Sequence, residues 1–305
     1  MNAQLLPRRA VALALGATLA LGLAACGDDE VEPTGSTPTM ATPSNDAAGS
    51  TSTPPVDSRG EGAGTETSSG SAVGVYFVGK TATGLRLFRE FRAPKGDRLD
   101  AAAALVDGGD TRDPDYRTLW PGQTVTGVDA SDTLIEVHLN GDAFTEAPDG
   151  MGAAEAELAI QQMVYTVQGM VGQRLPVQFV RTTGPETLFG VDVSSPVKAA
   201  KWEEVLAFVN VTTPEQGSSV STDTLKASGV ASAVEATVQW RILSGEKEVL
   251  SGFATAEGWM DKLYPWETTI DVSDLQPGEY TFVAADSDDE EGNGPTEDSK
   301  SFTLR

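Results

Sequence analysis

The chain has 305 residues, room for about two domains of roughly 100–200 residues each, and sets 21 Lys and Arg against 45 Asp and Glu for a formal net charge of -24. A chain this acidic repels phosphate backbones and anionic lipid surfaces, so nucleic acid is excluded as a partner. One Cys and one His exclude disulfide frameworks, Cys/His zinc sites and most Cys–His nucleophile pairs, and nothing in the composition calls for a cofactor.

Residues 1–25 read as a signal peptide: Arg8 and Arg9 form a positive start, and residues 10–23 are Ala, Leu, Val, Gly and one Thr. That run is shorter than the roughly 20 residues a spanning helix needs, which predicts cleavage rather than a permanent span. It ends in Leu23-Ala24-Ala25-Cys26, followed by Gly27. The arrangement resembles a bacterial lipobox, in which the Cys thiol is diacylated and the bond before it is cut. Cys26 is thereby the expected lipidation site, joining the protein to the outer face of a cell membrane through a diacylglyceryl cysteine. Two or three acyl chains hold stably where one is marginal, at about 0.8 kcal/mol per buried CH₂.

Residues 26–72 are expected to be a disordered tether. Of the 44 residues from 27 to 70, 27 are Gly, Ser, Thr or Pro, leaving too few apolar groups to offset the entropy of ordering. As a flexible coil the stretch spans on the order of 35–40 Å, enough to lift the folded domains clear of the headgroups.

Alternation begins at Val73, with Val75 and Phe77 on the same face, and a second strand carries Leu85, Leu87 and either Phe88 or Phe91 after the Thr83-Gly84 turn. Asp97 is placed to cap a helix running through Leu105, ended by Gly108-Gly109. Strands over 123–128 and 134–139 come next, joined by Asp129-Ala130-Ser131-Asp132. The longest helix covers 151–171, where Ala156, Ile160, Met163, Val167 and Met170 recur at spacings of four and three. A strand over 175–180 completes an α+β sandwich. Val75-Tyr76-Phe77, Pro121-Gly122-x-Thr124-Val125, Leu134-Ile135-Glu136-Val137 and above all Gln162-Met163-Val164-Tyr165-Thr166-Val167 resemble the GerMN domain, a small α+β module of bacterial sporulation, germination and envelope lipoproteins. The domain is drawn at 73–194. Its departure from that family is the loop at 107–116, where Gly-Gly-Asp-Thr-Arg-Asp-Pro-Asp replaces a shorter step. The resemblance brings no catalytic residues.

After a linker at 195–206, residues 207–305 show about seven short strands punctuated by turns, the mark of an all-β immunoglobulin-like sandwich. Val238, Trp240 and Ile242 share a face, with Trp240 expected as the central buried aromatic. Leu275-Gln276-Pro277-Gly278-Glu279-Tyr280 looks like a tyrosine corner. Pro214-x-x-Gly217, the run from Ala231 to Trp240 and Ser251-Gly252-Phe253-Ala254 resemble the immunoglobulin-like domain of spore germination. That module often comes after GerMN in lipoproteins.

Chemical motifs are sparse. Ser195-Pro196-Val197-Lys198 matches S-x-x-K, but the S-D-N and K-T-G elements that make it a nucleophile signature are missing. His138 lies in a strand, facing away from Val137 and Leu139. With Asp286 as position 1 of a calcium-loop template, Asp288, Glu290 and Glu297 fall at positions 3, 5 and 12. Position 6 is Glu291 rather than Gly, which leaves weak calcium binding at most. Trp259, Tyr264 and Trp266 around Pro265 form a candidate contact patch for sugar or protein. These readings converge on a lipid-anchored, non-catalytic envelope protein that presents binding domains to an envelope protein or to peptidoglycan. The alternative is a glycan-binding accessory protein or weak glycan hydrolase built from paired carboxylates.

Overall fold

The computed structural model describes residues 72–93, 95–109, 111–221, 223–286 and 296–305, all within one compact unit, Gly64–Arg305. The signal peptide, Cys26 and nearly all of the tether lie outside the described residues. Among those described, no helix is long and apolar enough to cross a membrane.

The first domain opens with the hairpin β1 (Val73–Thr81) and β2 (Gly84–Arg92), joined on the far side of β1 by β3 (Tyr116–Arg117). Helix α1 (Arg98–Val106) starts where Asp97 accepts hydrogen bonds from the backbone N–H groups of Leu99 and Asp100, as a capping residue should. A second sheet holds β4 (Val125–Ala130), β5 (Ile135–Leu139) and, parallel to β5, β6 (Val177–Val180). The crossover between these parallel strands is α2 (Ala153–Val171), ended by Gly172 in the left-handed conformation that a helix C-terminus favours. A short pair, β7 (Thr187–Leu188) and β8 (Val191–Asp192), and one helical turn, α3 (Trp202–Val205), finish the domain. The strands of this domain thus form two three-stranded sheets and the separate β7–β8 pair.

Of the expected apolar stripe of α2, Ala156, Ile160, Met163 and Val167 are buried and Met170 is half-buried, and Gln162, Thr166 and Gln168 are buried as well. The polar pair has a structural task. Thr166 Oγ1 accepts from the backbone N–H of Tyr76, and Gln162 Nε2 donates to the carbonyl of Tyr76. Gln162 Oε1 also takes the N–H of Leu119. The helix therefore satisfies backbone groups of β1 that strand pairing leaves open, which is why Gln and Thr recur at i and i+4 in that run.

The second domain is a two-sheet sandwich. One sheet contains β9 (Val209–Thr213), β11 (Thr224–Ala231) and β14 (Tyr264–Asp271). The other contains β10 (Ser218–Val220), β12 (Thr237–Ser244), β13 (Lys247–Thr255), β15 (Gly278–Ala285) and β16 (Glu297–Leu304), in the order β10-β16-β15-β12-β13. The seven expected strands are present, with β10 added as a short parallel edge on β16. Tyr280 Oη donates to the carbonyl of Gln276 at 2.7 Å, so the tyrosine corner is formed. The roles of two tryptophans are exchanged relative to expectation. Trp266 is 3 % exposed and stacks on Phe282 inside the sandwich, whereas Trp240 is only half-buried against the other side of the same core. Gly229 makes room for Trp266: a Cβ there would sit 2.1 Å from the carbonyl oxygen of Asn210 and 2.9 Å from the indole ring.

Candidate functional site

The linker is pinned rather than free. Val197 exchanges both backbone hydrogen bonds with Val177, and Ala207 N–H donates to the carbonyl of Leu87. Val205, Leu206 and Ala207 belong to the first core and Val209 opens the second, so the cores change over within two residues. Trp202 Nε1 donates to the carbonyl of Asp261, and Leu263 from the second domain packs on the first core.

At the joint lies a buried polar cluster. Lys300 Nζ on β16 donates to Asp113 Oδ2, Asp298 Oδ1 and Tyr116 Oη, each at 2.7 Å. The Tyr116 hydroxyl donates to Asp298 Oδ1 at 2.6 Å, and the other oxygen of Asp298 accepts from Asn210 Nδ2 and the N–H of Val211. The side chains of Asp113, Asp298 and Lys300 are 1 %, 2 % and 5 % exposed. Burial pushes the Asp113 carboxyl up despite the pull of Lys300. Burial, then the charges of Asp298 and Asp113, pushes the Tyr116 phenol well above its ordinary value. Around the cluster, Glu90 holds the N–H groups of Arg112 and Asp113, Arg112 pairs with Glu215, and Ser299 donates to Asp115. Arg112, Asp113 and Asp115 all come from the loop that departs from the GerMN pattern.

Beside the joint runs a hollow of about 600 Å³, between the β1–β2 turn, α2, β8 and the linker. Leu85, Leu158, Val191, Val197 and Val205 give it an apolar floor, and Glu155, Glu157, Asp192 and Glu204 stand among its lining residues. Glu155 is occupied: it pairs with Arg117 at 3.1 Å and closes the start of α2 on Gly152. Arg86, the one cation of the lining, donates to the carbonyl of Glu204. The hollow is a trough with an acidic rim, suited to an aliphatic segment flanked by positive charge.

Residues 74–181 match the family described as sporulation and spore germination, and residues 208–293 match the immunoglobulin-like domain of bacterial spore germination. The two matches, both to spore-germination-type families, stand in tandem along the chain. Solved structures that align with the chain include the tandem GerMN domains of the sporulation protein GerM from Bacillus subtilis, at 13 % identity and TM-score 0.34 over 67 % of this chain and 63 % of that one. CopC from Methylosinus trichosporium OB3b aligns at 21 % identity and TM-score 0.21, over 32 % of this chain and 92 % of that one. Among curated proteins there is no match.

Within the germination-type pair, the residues singled out from sequence fall in separate places. Trp259 is 41 % exposed, Tyr264 is half-buried with its hydroxyl on Asp261, and Trp266 is a core residue. The three therefore do not share one surface. Trp259 has as its exposed chain neighbour Met260, 67 % exposed and missed by the sequence reading, whose N–H donates to Ser232 Oγ just before the turn that carries exposed Val234. Exposure at a loop tip leaves no sequence signal beyond the residues themselves. Of the calcium template, Asp288 and Glu290 lie outside the described residues. Asp286 accepts from the N–H of Thr296, and Glu297 pairs with Arg241 at 2.7 Å. Among the described residues no cluster of three or more His, Cys, Asp or Glu could hold a metal. His138 Nε2 lies 2.9 Å from Asp129 Oδ2 across β4 and β5, and Ser195 and Lys198 are both exposed. Asp113 and Asp298 share a cation, but buried at 1 % and 2 % side-chain exposure they are sealed from any glycan.

Proposed function

We propose that the chain is a lipid-anchored, non-catalytic envelope protein whose two germination-type domains act as one contact block. The trough between α2, β2 and the linker holds an envelope protein that presents aliphatic and basic side chains. The observation that carries this reading is the trough's construction: its walls come from three segments distant in sequence, and the linker forms one of them. Anchoring rests on Cys26 and on the apolar leader before it. A photo-crosslinking residue at Glu157 in intact cells should capture a discrete partner, and Glu204→Lys should abolish the capture by reversing the rim charge. Capture unchanged by that reversal would sink the assignment of the trough. For the anchor, Cys26→Ser should shift the protein from the membrane fraction to the medium, and retention in the membrane counts against it.

A second reading is favoured by the apolar end at Val234, Trp259 and Met260: contact with wall glycan. Retention on insoluble peptidoglycan that disappears with Trp259→Ala would replace the protein partner by glycan, and release of soluble fragments would replace display by hydrolysis.

A further inference from the structure

We propose that a second pocket, at the joint between the domains, binds a small hydroxylated organic acid. The pocket is about 300 Å³ and takes residues from β1, β2, the linker and the loop before β14. Three cations line it, Arg89, Arg174 and Lys262, and no acid does. This is unusual in a chain with 45 acids for 21 cations. Elsewhere Arg92, Arg112, Arg117, Arg241 and Lys300 each meet a carboxylate. Among the described residues, the three pocket cations meet only neutral groups. Arg89 lies 4.6 Å over the ring of Phe91, Lys262 4.6 Å over Tyr264, and Arg174 4.6 Å over Tyr165 while donating to Gln168 Oε1. Rings and amides hold a cation in place without cancelling its charge, so the pocket keeps a positive field.

Acids on the neighbouring elements stand outside the lining: Asp298 accepts from the Asn210 amide and is paired with Lys300, Asp261 accepts from the Tyr264 hydroxyl, and Glu203 bears on Tyr165.

Two further observations define the ligand. Asn210, 3 % exposed, lines the pocket, and its Oδ1 has no hydrogen-bond partner; Arg89 Nε is likewise buried and unpartnered. A buried orphan acceptor costs about 1–3 kcal/mol unless a donor reaches it, which calls for a hydroxyl on the ligand. Tyr76, Trp202 and Leu263 supply aromatic and apolar walls, which a bare inorganic ion would leave unused. The chemistry is that of a sugar-sized body bearing a carboxylate or a phosphate. The inference does not depend on the membrane anchor or on the trough.

Isothermal titration of the full chain in detergent, with glucuronate, glucose 6-phosphate, glucose and inorganic phosphate as probes, tests it. At least one of the two sugar acids should bind saturably with a dissociation constant of about 1 mM or tighter, and the stronger shows which acid the pocket prefers. Glucose should not bind, and inorganic phosphate should bind more weakly than the preferred sugar acid. Arg174→Gln and Lys262→Gln, both exposed side chains, should each weaken binding about tenfold, the loss of one charge-assisted contact. Added salt should weaken it further. Glu157→Gln, in the trough, should leave it unchanged. The proposal is overturned if neither sugar acid binds, if glucose or phosphate binds as well as they do, or if folded Arg174→Gln and Lys262→Gln proteins bind like the parent.

Discussion

Replacing Lys300 by Met removes the charge on which the joint between the domains depends. Its ammonium donates to two carboxylates and a phenol oxygen at 2.7 Å and to the carbonyl of Ser299 at 3.0 Å, with 5 % of the side chain exposed. Methionine fills similar volume but leaves Asp113 and Asp298 buried without a cation. Removing one partner of a buried pair costs about 3–5 kcal/mol. Asp298 keeps its donors from Tyr116, Asn210 and Val211, and Asp113 keeps the N–H of Asp115, which argues for the middle of that range, about 4 kcal/mol. At about 2–4 °C per kcal/mol for 150–250 residues, the melting temperature should fall by about 8–16 °C. Urea titration followed by fluorescence and by calorimetry would measure it. The loss should be partly recovered in Lys300→Met with Asp113→Asn, since one stranded charge is then neutral. A loss under about 1 kcal/mol in a protein that still folds, or no recovery in the double variant, would refute the reasoning.

Asp113→Asn should also change how stability depends on pH. Burial raises the folded-state pKa of Asp113 above its ordinary value. The folded state therefore binds that proton more tightly, and the group's stabilisation is present below the unfolded value and lost as pH rises through the folded one. The stability of the parent minus that of Asp113→Asn should fall as pH rises from about 4; urea midpoints across that range decide, and a rising difference would contradict the sign. Gln162→Leu strands the N–H of Leu119 and the carbonyl of Tyr76, and should cost about 2–4 kcal/mol by denaturation; an unchanged midpoint would mean that the helix does not hold the β1 edge. Trp266→Ala should cost about 3–5 kcal/mol through the cavity it opens, whereas Trp259→Ala should stay within about 0.5 kcal/mol. Thermal melts that reversed this order would reverse the placement of the two indoles.

Much of the architecture was legible because local rules carry it: the Asp97 cap, the i and i+4 stripe of α2, the Gly172 end and the Tyr280 corner each need only neighbours in sequence. What escaped needed partners far along the chain. Trp240 and Trp266 both sit on alternating strands, and period-two patterning names a face without saying which indole lies at its centre. Each indole lies over a glycine of the neighbouring strand, Trp266 over Gly229 on β11 and Trp240 over Gly252 on β13, so the glycines do not tell them apart, and only the packing of the two sheets makes Trp266 the buried one. The paired cores did not foretell the trough or the cation pocket either, since each wall is contributed by a different element. The loop at 107–116 was visible as a departure from the pattern that the first domain resembles. Its meaning required the last strand, because Asp113 and Lys300 are 187 residues apart.

That separation has a consequence in time. The first domain owns its helices and sheets long before β16 exists, so Asp113 and Tyr116 wait with open hydrogen-bonding groups while the rest is made. At about 5–20 residues per second, the delay between the arrival of Asp113 and of Lys300 is on the order of 10–40 s. During that interval the early half is complete in outline yet unlatched, and the final strand both finishes its own sheet and fastens the molecule shut.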